Sequence, residues 1–266
     1  MRNSRANRAG RAVALVLGAV LGLATPPVLT AQNQDGLGAL APENLARPRP
    51  EPPFNLTGTW LHGPGNERFD PPDGVVLTPF AQAHFDAAAA AAAEGKIYRN
   101  DIGLCWPAGM PIMMTRVWPV QMIQVPTSIF MISELMNSLR IVYLDGRTHT
   151  DPDIAVPSFN GESIGRWEGD TLVIHTKNFV DHHHWIHDRL GIPASGSFEI
   201  IERIRMVDDG ARLEVGFTLI DPEVFEGEWV TMKQWRRVND RDIAEVECLP
   251  DLNDHMPTVD SEFHVR

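Results

Sequence analysis

The stretch Ala211–Ile220, ARLEVGFTLI, decides the fold. Leu213, Val215, Phe217 and Leu219 fall on one side of an extended chain, and Arg212, Glu214 and Thr218 fall on the other. That two-residue period is the mark of a strand with one face in a core. Working outward, short β-rich runs of the same kind recur at VWPVQMIQV (Val117–Val125), SIFMISEL (Ser128–Leu135), LRIVYLDG (Leu139–Gly146), TLVIHT (Thr171–Thr176), FEIIERIRMV (Phe198–Val207) and EWVTMKQWRRV (Glu228–Val238). Turn sequences LDGR, EGDT and DDGA lie between them and suit tight hairpins. Many hairpin-linked strands predict a mainly β fold, an antiparallel lipocalin-like barrel or strongly curved sheet. No internal repeat, Gly-rich phosphate loop or βαβ alternation is present, which argues against a dinucleotide-binding domain.

One helix is expected beside the strands. TPFAQAHFDAAAAAAAEG places Thr78 as N-cap, Pro79 at the first helical position and Gly95 as the stop. Its seven alanines, Ala87–Ala93, favour helix and leave a smooth surface that can lie close to a sheet.

The N-terminus reads as a secretory signal peptide over residues 1–31. Arg2, Arg5, Arg8 and Arg11 precede the apolar run AVALVLGAVLGLA, with small residues near Ala24 and Ala31 for cleavage. No Arg-Arg pair precedes the run, so general secretion is expected, to the periplasm or the exterior, with no stable membrane span after cleavage. Residues 32–55, with five prolines, read as a linker or wrapping arm; 56–250 as the barrel domain; 251–266 as a tail. Cleavage removes four arginines and no acid, taking the formal charge from −12 to −16. So acidic a chain is not expected to bind nucleic acid. In an oxidising compartment Cys105 and Cys248 read first as a disulfide.

The segments CWPAGMP (Cys105–Pro111), YLDGRTH (Tyr143–His149) and SIGRWEGDTLVIHT (Ser163–Thr176), with Glu202-Arg203, resemble a family of mostly uncharacterised exported bacterial proteins. The resemblance runs from about Leu56 to Cys248 and implies a lipocalin-like β-barrel. It carries no activity with it, and the histidine run DHHHWIHD (Asp181–Asp188) departs from the pattern.

Strand faces locate candidate chemistry. Glu202 shares a face with Phe198, Ile200, Ile204 and Met206, so it must be partnered, protonated or facing a wet cavity. It is the first candidate for an acid or base. A hairpin turning at Asn137 would set Glu134 opposite Arg140, an interior ion pair or an anion-binding guanidinium. His149, after the YLDGR turn, is a candidate acid–base group, whereas His175 reads as a satisfied sheet histidine. If DHHHWIHD is extended, His182 and His184 share one side, as a proton shuttle with Glu202 or, with His187, as ligands to zinc or a similar ion. Trp167 and Trp185 are candidate walls for an apolar ligand, and CWPAGMPIMM a lid or plug.

These readings converge on a cofactor-free acid–base enzyme acting on a small apolar or aromatic molecule in a barrel pocket, by elimination or hydration, isomerisation or cyclisation. Catalysis would rest on Glu202 with His149, His182 or His184, and binding on Arg140, Glu134, Trp167 and Trp185. A non-catalytic carrier or sensor is the alternative, and a metal-dependent lyase or hydrolase the third reading.

Overall fold

The computed structural model describes residues 36–63, 65, 67–252 and 257–259. The expected signal peptide lies outside them, as do 32–35 of the expected arm and 253–256 and 260–266 of the expected tail. Nine strands form a closed barrel: β1 (Gly58–His62), β2 (Val120–Val125), β3 (Ser128–Ser133), β4 (Ser138–Tyr143), β5 (Glu162–Glu168), β6 (Thr171–Lys177), β7 (Glu199–Val207), β8 (Arg212–Ile220) and β9 (Trp229–Val238). Each neighbours its successor in sequence, and β9 returns to β1 with Thr59 opposite Val238.

The barrel is not wholly antiparallel. Alternating directions cannot close on themselves around an odd ring, so nine strands require at least one parallel pair. It falls between β4 and β5, which meet only at Val142–Ser163 and Tyr143–Ile164. Residues 144–161 form the crossover that makes two parallel neighbours possible.

Alternation in β8 is as the sequence requires. Leu213, Val215, Phe217 and Leu219 face inward and are buried, each contributing roughly 1.5–3 kcal/mol of apolar burial. The inner faces together with Met110, Met113 and Met114 form one continuous buried cluster, and Ile112 joins a second one with Trp185 and the helix alanines. Met110–Met114 is the expected plug. Trp235 Nε1 donates to Met114 O at 3.0 Å, and Met113 lies by Ser133 and Ser138.

The helix Pro79–Ala93 begins as expected, with Thr78 Oγ1 accepting from Ala81 N–H at 3.3 Å. Its buried residues Ala81, His84, Ala88 and Ala91 form one face. That face packs on Ile97–Tyr98 and on a two-stranded ribbon, Trp185–His187 with Ile192–Pro193, while Ala81 joins the barrel's buried cluster. A Cβ on Gly191 would stand 2.8 Å from Ala88 Cβ, so small residues on both sides set the close approach. The proline-rich arm wraps the barrel. Its one helical turn, Pro42–Leu45, buries Asn44 against Asp145, and Phe54 meets Trp167 edge to face at 4.8 Å.

The disulfide Cys105–Cys248 is formed. No helix of the described residues is long and apolar enough to cross a membrane.

Candidate functional site

Glu202 faces the barrel interior and is fully buried. It is also fully engaged. Arg140, on β4, donates Nη1–H to Oε1 at 3.0 Å and Nη2–H to Oε2. Arg140 further donates from Nη2 to Thr176 Oγ1 (2.9 Å) and from Nε to Ser163 Oγ (3.0 Å), with Nη1 at 3.8 Å from Met131 Sδ. A guanidinium has five N–H donors, and all five are committed here. The pair is fully buried and its groups are committed to one another, so Glu202 is not presented as a free base and Arg140 has no donor left for an anion.

The expected Glu134–Arg140 pair does not form. Glu134–Asn137 makes the turn, with Met136 and Asn137 in the left-handed region (φ 57° and 49°). Ser133 therefore pairs with Ser138, and Met131 stands opposite Arg140. Glu134 instead accepts from Arg241 Nη2 at 2.7 Å. Trp167 packs on Phe54, and Trp185 donates Nε1–H to Asp101 Oδ2 at 2.9 Å beneath the helix. Both are packing residues.

DHHHWIHD does not run extended, because His183 takes φ 51°. Its imidazoles disperse. His182 is exposed beside Asp181; His183 stacks on Trp106 at 3.9 Å and meets Asp101 at 3.0 Å. Buried His184 donates Nε2–H to Met110 O at 2.6 Å. Burial pushes its pKa down to about 4. His187 accepts from Leu190 N–H at Nδ1 and faces Asp70 with Nε2, both at 3.1 Å. His182, His184 and His187 thus do not converge on one ligand. Among the described residues no three His, Cys, Asp or Glu side chains are placed to hold a metal ion.

One opening lies on the flank, at the parallel seam. It is a groove of about 1330 Å³. Ser138–Ile141 run past the start of β5 and are bordered there by the crossover, where Asn160 Nδ2 donates to Leu139 O at 2.9 Å and to Ser138 Oγ at 3.0 Å. The second wall is a C-terminal strap, residues 245–248, held by the disulfide and by paired bonds between the Asn137 amide and the Val246 backbone. Leu139, Ile154 and Val156 present exposed apolar surface to this groove.

Glu162 opens onto the groove and begins a chain of four titratable groups. His149 Nδ1 lies 3.0 Å from Glu162 Oε2; His149 Nε2 lies 3.2 Å from His175 Nδ1; His175 Nε2 lies 2.8 Å from Glu199 Oε2. Glu162 also accepts from Thr150 N–H (2.9 Å), Thr150 Oγ1 (2.6 Å) and Asn178 Nδ2 (3.0 Å). Burial opposes its charge, but these donors prevail and hold its pKa below the usual value. For His149, burial is the largest influence and lowers the pKa; Glu162 pulls it up, while His175 and Lys177 push it down.

Three links join these four groups, and each link needs one hydrogen. Two neutral imidazoles carry two. Completing all three links at once takes a third hydrogen. Of these groups only His149 stood out as a candidate from sequence. Glu162, His175 and Glu199 lie on outward faces of β5, β6 and β7, where alternation singles out neither glutamate and reads His175 as a satisfied sheet histidine. Sheet register brings them together, since Ile164 and Ile201 flank His175. No protein-family model matches the chain, and no curated protein matches it.

Proposed function

We propose that the protein is an exported enzyme that moves protons on a small, largely apolar or aromatic molecule held in the flank groove. The observation that carries this reading is the run of hydrogen bonds from Glu162, on the groove wall, through His149 and His175 to Glu199 at the surface. Glu162, kept ionised by its donors, fixes His149 as the Nδ1–H tautomer. Burial lowers the His149 pKa and favours the neutral imidazole that a general base needs, with Nε2, which meets His175, as the basic nitrogen. His175 and Glu199 continue the hydrogen-bonded path from His149 toward the surface. Isomerisation, elimination or hydration, and cyclisation all need this machinery and no covalent nucleophile. Export is supported by the basic-then-apolar N-terminal sequence and by the disulfide.

A carrier or sensor using the same groove is the second reading, favoured by the exposed Leu139, Ile154 and Val156. Deuterium exchange separates the two. Aryl ketones with an α-hydrogen, including α-amino aryl ketones, are expected to take up deuterium at the α-carbon when incubated with the protein in D₂O. His149→Gln is expected to slow that uptake by roughly 10²–10⁴-fold while ligand still binds. Binding with no exchange by the wild-type protein would establish the carrier, and unchanged exchange in His149→Gln would remove the histidine from the mechanism.

A further inference from the structure

We propose that the ligand of the groove is an organic cation, a small molecule joining an apolar or aromatic body to a protonated or quaternary amine. This rests on the reading of the groove as the functional site and adds the charge of what it takes.

The lining has an unbalanced charge. Glu162 comes from β5, and Glu245 and Glu247 from the strap. Arg140 is the one cationic side chain in the lining, and it is 1 % exposed, with its charge matched by Glu202 and every donor turned inward. An anionic ligand would meet three carboxylates and find no guanidinium or ammonium to receive it. The neighbouring Arg147 is likewise committed, in a bidentate pair with Asp145 and with its guanidinium over the Tyr143 ring at 3.9 Å.

The apolar half of the ligand is set by other residues. Ile154 and Val156, on the crossover, are 74 % and 88 % exposed, and Leu139 on the barrel flank is 50 % exposed. These three share one opening, and such a cluster is a mark of a ligand or partner surface. Carboxylates on the strap and aliphatic side chains on the crossover and flank thus present complementary places for an amine head and a greasy body. The formal charge of −12 draws cations toward the molecule from a distance.

Equilibrium binding to the full oxidised chain tests this with four small probes: benzyltrimethylammonium, benzyl alcohol, phenylacetate and tetramethylammonium. Benzyltrimethylammonium is expected to bind roughly tenfold tighter than benzyl alcohol at low salt, from two or three exposed charge contacts, and to lose most of that margin at high salt. Tetramethylammonium is expected to bind more weakly for want of the aromatic body, and phenylacetate most weakly. In the double variant Glu245→Gln/Glu247→Gln, whose sites are exposed, the margin is expected to shrink while benzyl alcohol affinity holds. Phenylacetate binding as well as the cation, or a cation preference untouched by salt and by the double variant, would overturn the proposal. A short lysine-rich peptide outcompeting the small cation would overturn its small-molecule part. If none of the probes binds, the groove itself is not the site, a failure distinct from a wrong sign of charge.

Discussion

Arg140 and Glu202 show what a buried ion pair asks of its neighbours. With Ser163, Thr176 and Met131 around them, they leave no guanidinium hydrogen idle. Glu202→Gln removes the charge but not the need, and leaves a guanidinium buried without a counter-ion. It is expected to cost about 3–5 kcal/mol in urea unfolding, whereas an apolar replacement of both partners, Arg140→Met/Glu202→Leu, is expected to cost far less. That Glu202 points inward was legible from the apolar face of FEIIERIRMV. Its partner was not, because β4 and β7 are not neighbours and alternation says nothing about contacts across a barrel. The same scale holds the acid response. Folded His184 binds a proton only near pH 4, whereas the unfolded chain binds one near 6.5. The unfolded state therefore takes up more protons between these values, and stability falls as pH drops through that window, by ~3 kcal/mol in all. His184→Asn is expected to flatten the slope of stability against pH from 6.5 to 4, read from urea unfolding across that range.

Among elements, the plug and the histidine segment act as one unit. Gly109 has φ 64°, and a Cβ there would stand 2.5 Å from Phe159 O and 2.9 Å from His184 Nε2. Gly109→Ala is expected to lower stability by about 1–3 kcal/mol, through both the left-handed backbone and the crowding. It should also disturb the near-ultraviolet circular dichroism of Trp235, which hydrogen-bonds the plug at Met114 O. The plug was readable because Pro107, Gly109 and Pro111 forbid a regular strand. The histidine segment misled because periodicity assumes an unbroken chain, and the left-handed His183 turns its neighbours to separate partners. The helix was legible to its caps. Its resting place was not, since an alanine surface fits any smooth neighbour.

At the scale of the molecule, Cys105–Cys248 spans 143 residues and fastens the strap to the plug segment. Chain entropy assigns a bridge of that span ~5 kcal/mol. Reduction is expected to lower the unfolding midpoint and, before that, to expose residues 239–249 to protease, since the strap has no regular structure up to Leu249. The Arg241–Glu134 pair and the Asn137–Val246 bonds are weaker ties. A reduced protein whose strap stays protected would show that those ties suffice. The mainly β, closed architecture was foreseeable from alternation and turn residues, but strand direction was not, because a strand reads alike both ways. That blind spot conceals the flank opening. Its location follows from parity: a tenth strand threaded through residues 144–161 would let up and down alternate all the way round. Such a homologue or redesign would close the seam that borders the groove, so on this scaffold the flank opening is tied to the odd strand number.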